Sequence, residues 1–278
     1  MFKFSNMRLK VLVVTHKEFD SSILPKNYQV IKVGSKLSNE YASSKGYLTD
    51  NTGDNISNEN NFYCELTALY WAWKNLKDVD YIGLVHYRRY FMDYKISSTN
   101  FSSNILSSSK IEQLLKKYKL IMPYWFPKVR GGGMLYKSLP RDFQHQGWVI
   151  IEDIIKKFYP DYVDAFENIL YGNRNCYQNM MIISKENADL YCAWLFDILR
   201  KYDKTVEKLG KERVSRYDGY FSEYLLNVWV VKHFTESEIY RTEVSNPENF
   251  KGGLSYWLHS LLRSSHYFNS WYRNYRLK

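Results

Sequence analysis

The chain has 278 residues, 45% of them hydrophobic, which is enough for one α/β domain with elaborations. Lys and Arg outnumber Asp and Glu by 39 to 29, a net charge of +10, so the expected partners are anionic: nucleotide diphosphates, phospholipid surfaces or nucleic acid. Cys64, Cys176 and Cys192 form no CxxC pair and are odd in number, which argues against a metal knuckle or a disulfide framework and for free thiols; no run approaches the roughly 18 apolar residues of a spanning helix, and no secretory pattern opens the chain.

Leu9 to Thr15, LKVLVVT, predicts a first strand that ends at Thr15-His16-Lys17. Tyr28 to Val33 predicts a second, closed by Gly34. Asn51 to Asn61 is a polar loop holding Gly53-Asp54-Asn55, residues that also suit plain turns. From Asn58 onward the chain predicts a helix: Phe62, Leu66, Leu69, Tyr70, Trp73 and Leu76 recur at three- and four-residue spacing, with Asn60 or Asn61 as N-cap. Asp78-Val79-Asp80 breaks the pattern. Tyr81 to Val85 is then a short apolar run, as in a strand covered on both faces, and it stops on His86-Tyr87-Arg88-Arg89-Tyr90. Ligands of open α/β sheets bind at the carboxyl ends of strands, so this cluster reads as an anion site, with the two arginines expected on alternate strand faces. A solvated edge, or Arg stacked on Tyr, is the plainer alternative.

The second half is less regular. Ile96 to Lys110 is Ser-rich and reads as a loop, a candidate lid. A short helix over Ile111 to Tyr118 and a strand at Leu120 to Met122 follow. Trp125 to Pro140 contains Gly131-Gly132-Gly133 without the strand-to-helix setting of a phosphate loop, and reads as a flexible acceptor-side loop. His145, just before a helix at Trp148 to Phe158, is a candidate acid–base group or phosphate contact. Asn179 to Ser184 predicts a strand and Glu186 to Lys201 a helix. Asp218 and Glu223 flank a turn at Gly219 that feeds a further helix. After Glu248 no acidic residue remains, while Trp257, Leu258, Leu261, Phe268 and Tyr272 follow helical spacing and basic residues flank them. Residues 249–278 thus predict a basic, aromatic helical tail suited to an anionic membrane surface, or to packing on the domain at 1–248.

NNFYCELTALYWAWKN followed by DYIGLVHYRRYF resembles a bacterial family of capsular and exopolysaccharide glycosyltransferases that share an uncharacterised domain. The similarity extends from Val11–Lys17 through Thr52–Ser57 to Arg216–Glu223. It implies a GT-A-like (Rossmann-like) α/β fold, a mixed sheet flanked by helices, here with a helical C-terminal extension. It implies a nucleotide-sugar donor, expected to be a uridine diphosphate sugar, and a glycan or lipid-linked acceptor.

 The resemblance fixes neither the sugar nor the linkage; galactose, as pyranose or furanose, is the family-level expectation.

On that resemblance Thr15, His16 and Lys17 after the first strand, with Asp54 and Asn55, become donor-pocket candidates, since a carboxylate and an amide can read the imide edge of uracil or the ribose hydroxyls. His86, Arg88 and Arg89 become the clamp on the donor diphosphate. Glu223 and Asp218 become candidates for acting on the acceptor hydroxyl, with His145 beside them. GT-A enzymes commonly hold a divalent metal with Asp-x-Asp after a central strand; here His86-Tyr87-Arg88 stands there, and Asp78-Val79-Asp80 precedes the strand instead. Metal-independent chemistry is therefore expected, with arginine doing the electrostatic work. The expected location is cytoplasmic, on the inner face of the plasma membrane. A noncatalytic scaffold of a polysaccharide assembly is the alternative. Nucleic acid is set aside, because no recognised binding motif appears and the basic residues are spread along the chain.

Overall fold

The computed structural model describes residues 7–93, 98–127, 141–172, 174–176, 178–250 and 254. Strands β1 (Leu9–Thr15), β2 (Tyr28–Lys32), β3 (Leu48–Thr49) and β4 (Tyr81–His86) run parallel on one side of a seven-stranded sheet. Strands β6 (Leu120–Pro123), β9 (Met181–Ser184) and β10 (Ile239–Thr242) complete it in the order β10-β6-β9-β4-β1-β2-β3. β9 is antiparallel to both β4 and β6. The sheet is therefore mixed, and β4 lies near its middle. Short ribbons pair β5 (Tyr90–Phe91) with β11 (Val244–Ser245), and β7 (Phe126–Pro127) with β8 (Arg174–Asn175).

Alternation along the strands divides the core into two layers. Leu12, Val14, Ile31, Leu84 and Ile183 face one cluster; Val11, Val13, Val30, Val85 and Ile182 face the other. The first layer is roofed by helices α3 (Leu66–Asn75), α6 (Arg141–Phe158), α7 (Val163–Leu170), α8 (Lys185–Lys208) and α9 (Tyr217–His233), which follow the short α1 (Asn39–Ser44), α2 (Asn60–Tyr63), α4 (Phe101–Asn104) and α5 (Ser108–Leu115). Tyr90, Phe91, Leu106 and Ile111 close the second layer. Buried on both faces, the central strands read as near-continuous apolar runs for this reason. Among the described residues no helix is long and apolar enough to cross a membrane.

Four local expectations need correction. The helix predicted from Asn58 is broken at Cys64, whose φ of 52° lies in the left-handed region. Asn60 does not cap the helix start; its amide donates to the Cys64 carbonyl at 2.7 Å and to Thr67 Oγ1 at 3.1 Å, bridging the break. Arg88 and Arg89 do not alternate on a strand, because His86 and Arg89 bond each other's backbone and turn the chain at once. Within Ile96–Lys110 the described part, from residue 98, is folded: Asn100 caps α4, Ser107 caps α5, and Met92 bridges Ile105. Ser107 takes a cap position that serine fills well. The Gly131–Gly133 loop and the C-terminal tail expected beyond Glu248 lie outside the described residues, apart from Asn249, Phe250 and Leu254.

Candidate functional site

A cleft of about 1060 Å³ opens at the carboxyl ends of β1, β2 and β4. β2 lies on one side of β1 and β4 on the other, so connections leave β1 in opposite directions and a crevice results, the usual place for a ligand in an open α/β sheet. β9 runs the other way, so its amino end also arrives here: Leu84 pairs with Met181, and Asn179 sits just beyond.

One wall is cationic. His16, Lys32, Lys36, Arg88, Arg89 and Arg216 all line it. Burial, with the charges of Lys36, Lys17, Arg88 and Arg216, lowers the His16 pKa, so its ring is neutral at pH 7. Its edge meets Tyr87 at 5.6 Å, and Arg88 lies over the Tyr87 ring at 5.1 Å. Lys32 is buried, and its Nζ donates to Asn39 Oδ1 at 2.8 Å. Behind it the buried Asp50 carboxyl accepts from Ser57 and Thr67, and burial raises its pKa. Arg216 sits at the N-cap of α9 with φ 68°, a costly conformation for a residue with a side chain.

The floor carries Glu65, His86 and Glu223. The break at Cys64 turns Glu65 out of the helix line, and Asn179 Nδ2 donates to it at 2.7 Å. Burial first, then the Glu65 charge, raises Glu223 well above the ordinary carboxyl range, against Arg89 and Arg216. Burial lowers the His86 pKa, with Glu65 opposing, and His86 Nε2 is shielded from solvent without a hydrogen-bond partner. The site thus joins fixed positive charge to a neutral imidazole and two carboxyls.

The structure brings His16, Asn55, His86, Arg88, Arg89 and Glu223 together on this cleft. It separates the others. Thr15 is buried, and its hydroxyl donates to the Lys17 carbonyl, so it shapes the strand end; Lys17 is exposed outside the cleft wall. Asp54 turns away, because the positive φ of Gly53 folds the loop over Asn75 and leaves the carboxylate accepting from Tyr70 at 3.2 Å. Asn55 spends its amide on a turn, donating to the Gly53 carbonyl and accepting from Ser57 N. Asp218 is corrected as an acceptor-side group. It lies five residues before Glu223, roughly 140° around the helix, and is buried against Arg213 at 3.1 Å. Arg213 also binds Glu59 and Asp203, so this is a packing cluster. His145 falls within α6, and its side chain lies outside the described residues.

Sequence reading missed Lys32, Lys36, Glu65 and the cleft role of Arg216. A lysine inside the apolar run YQVIKV was a usable signal; the break that aims Glu65 left none in the helical spacing. Asp80 pairs with Arg8 at 2.7 Å at the amino end of β4, the end opposite the cleft. Where Asp-x-Asp would stand, the chain offers an imidazole and two guanidiniums, and hard divalent cations want carboxylate oxygens. Among the described residues no group of three or more His, Cys, Asp or Glu is placed to hold a metal ion.

Residues 10–234 match the family model described as Domain of unknown function (DUF4422). No curated protein matches the sequence. Among solved structures the chain is similar to WbbM, described as a bifunctional glycosyltransferase in its apo form, with 24% identity and a TM-score of 0.66 over 88% of this chain and 47% of that one. The chain spans about half the length of that protein. At this identity the likeness is one of fold, and the fold is α/β and GT-A-like.

Proposed function

We propose, from the premise that the chain belongs to the DUF4422 family, that it is a glycosyltransferase working on a nucleotide-sugar donor. The carrying observation is the cleft at the β1–β4 switch point, where Arg88, Arg89 and Arg216 stand over the Glu65–His86–Glu223 floor. That the chain covers about half of a bifunctional transferase supports reading it as a single transferase unit.

The base and ribose of the donor, a uridine diphosphate sugar in this reading, lie toward His16, Lys32 and Asn55. The diphosphate meets the three arginines, whose guanidiniums are always charged and grip phosphate oxygens in pairs. They offset the charge that develops on the leaving nucleoside diphosphate, a task that needs no bound metal here. The sugar and the acceptor hydroxyl then reach the floor, where Glu223 contacts the acceptor. The acceptor is a growing surface glycan or its lipid-linked precursor, and residues 249–278 hold the enzyme at the inner face of the plasma membrane.

A panel of UDP-, GDP- and dTDP-sugars, followed by donor hydrolysis and by thermal shift with UDP alone, tests this. Turnover of one UDP-sugar and stabilisation by UDP are expected. A noncatalytic scaffold would show neither, and loss of both overturns the reading.

A further inference from the structure

We propose that Asn179 is a positioning residue: it pins one oxygen of Glu65 and leaves the other in the cleft to accept a hydrogen bond from a hydroxyl of the donor sugar. This rests on the transferase reading of the cleft. Glu65 follows the break between α2 and α3 and lines the cleft floor. Asn179 does not line the cleft; it is buried, two residues before β9. Its Nδ2 donates to Glu65 Oε1 at 2.7 Å, to Ser222 Oγ at 2.8 Å and to the Gly219 carbonyl at 3.3 Å. Gly219 and Ser222 belong to the first two turns of α9, so one amide ties together the amino end of β9, the break and α9.

The amide can stand only one way round. The Ser222 hydroxyl donates to the Gly219 carbonyl at 2.7 Å, so its oxygen faces Asn179 as an acceptor. The carbonyl is an acceptor too, and the amide nitrogen must therefore face this junction. Asn179 Oδ1 is left shielded from solvent without a partner, which costs stability. An amide kept for packing alone would be better replaced by an apolar side chain of its shape. Space fixes the junction as well: a Cβ on Gly219 would lie 3.3 Å from Cys64 Cβ and Sγ, so α9 rests directly on the break.

Glu65 is thus aimed by its backbone and by Asn179 together. Asn179 holds Oε1, and no described residue donates to Oε2. A carboxyl oxygen on a cleft floor with no internal donor takes its hydrogen bond from what enters the cleft. The wall says which part of the donor that is. With Arg88, Arg89 and Arg216 on the diphosphate, the sugar, joined to it through a single oxygen, is the part that reaches the floor. Each sugar hydroxyl carries one O–H to give, and Oε2 is placed to take it.

Calorimetry on the full chain, with UDP and with the UDP-sugar that the panel turns over, tests this. Glu65→Ala should leave UDP affinity unchanged and weaken the UDP-sugar about tenfold, the size of one lost hydrogen bond. Asn179→Ala should weaken the UDP-sugar in the same way, again with UDP unchanged; Asn179→Ser, which keeps a polar group in the junction, serves where Asn179→Ala does not fold. The double variant should bind no more weakly than Glu65→Ala alone, since both act through one hydrogen bond. An added loss in the double variant, or equal loss of UDP and UDP-sugar in the single ones, would make Asn179 a packing residue and overturn the assignment. Monodeoxy forms of the donor identify the hydroxyl: one should bind the wild type about tenfold more weakly than the parent and bind Glu65→Ala as the parent does. No such member, or slowed transfer with UDP-sugar affinity intact in Glu65→Ala, also overturns it. If neither UDP nor any UDP-sugar binds the wild type, the transferase reading falls and takes this assignment with it; UDP-sugar binding that Glu65→Ala leaves untouched sinks the assignment alone.

Discussion

Asn60 occupies the space that a side chain on Gly34 would need: a Cβ there would lie 2.4 Å from Asn60 Oδ1. Gly34 lies two residues past β2 with φ +64°, and Asn60 bridges the break that aims Glu65 into the cleft. Gly34→Ala should therefore cost about 1–2 kcal/mol for the left-handed backbone alone, and more for the displaced Asn60. Thermal melting checks it. A variant that melts with the wild type would mean that Asn60 moves freely.

The arginine wall predicts a graded loss. Arg88→Ala and Arg89→Ala should each reduce kcat by about 10²–10³, the range for a removed transition-state donor. Calorimetric affinity for UDP should weaken alongside. Unchanged kcat/KM in both variants would remove the turn after β4 from the clamp.

Excess EDTA should leave turnover intact. The prediction follows from guanidiniums standing where carboxylates would be needed. Activity lost to chelation and restored by Mn²⁺ or Mg²⁺ would refute it.

Asp218 predicts a pH signature in stability. Burial, aided by the Asp203 charge and opposed by Arg213, raises its pKa from 3.8 to about 7. The folded chain therefore holds a proton that the unfolded chain has already shed. This stabilisation is complete below about pH 4 and declines as pH rises through 7. His86, with a lowered pKa, works in the opposite direction below its ordinary 6.5. The difference between wild type and Asp218→Asn isolates the effect: from pH 5 to 8 the variant's Tm should fall less. Parallel curves would show that Asp218 is ionised throughout.

The tail is tested by flotation with anionic vesicles. Phe250 packs on Phe101 at 5.2 Å, so truncation belongs after residue 250. The full chain should float, less so at high salt, and the chain ending at Phe250 should stay folded and remain behind. Equal flotation of the two would end the membrane role.

The strands and the end of β4 were legible in the sequence because apolar runs report burial directly: Leu9–Thr15 and Tyr81–Val85 fall in β1 and β4. Glu223, Arg88 and Arg89 were singled out in the sequence for their places near element boundaries, and all three line the cleft. Glu65 was not, because its place depends on a backbone break that Asn60 makes through contacts four and seven residues away. Asp218 misled for the complementary reason. Its position in a turn-like run says nothing of the Arg213 cluster that encloses it.

The Arg8–Asp80 pairing at the far end of β4 has a consequence for the cleft. Asp80 accepts from Arg8 N at 2.9 Å while its own N–H donates back to the Arg8 carbonyl at 2.8 Å. This latch holds β1 and β4 in step before either strand enters the core. A one-residue slip would exchange the two faces of β4, sending Leu84 into the wrong layer and carrying His86 off the floor. The acid that looked like half of a metal motif thus acts at a distance, as a phase mark that delivers the other end of the strand on time.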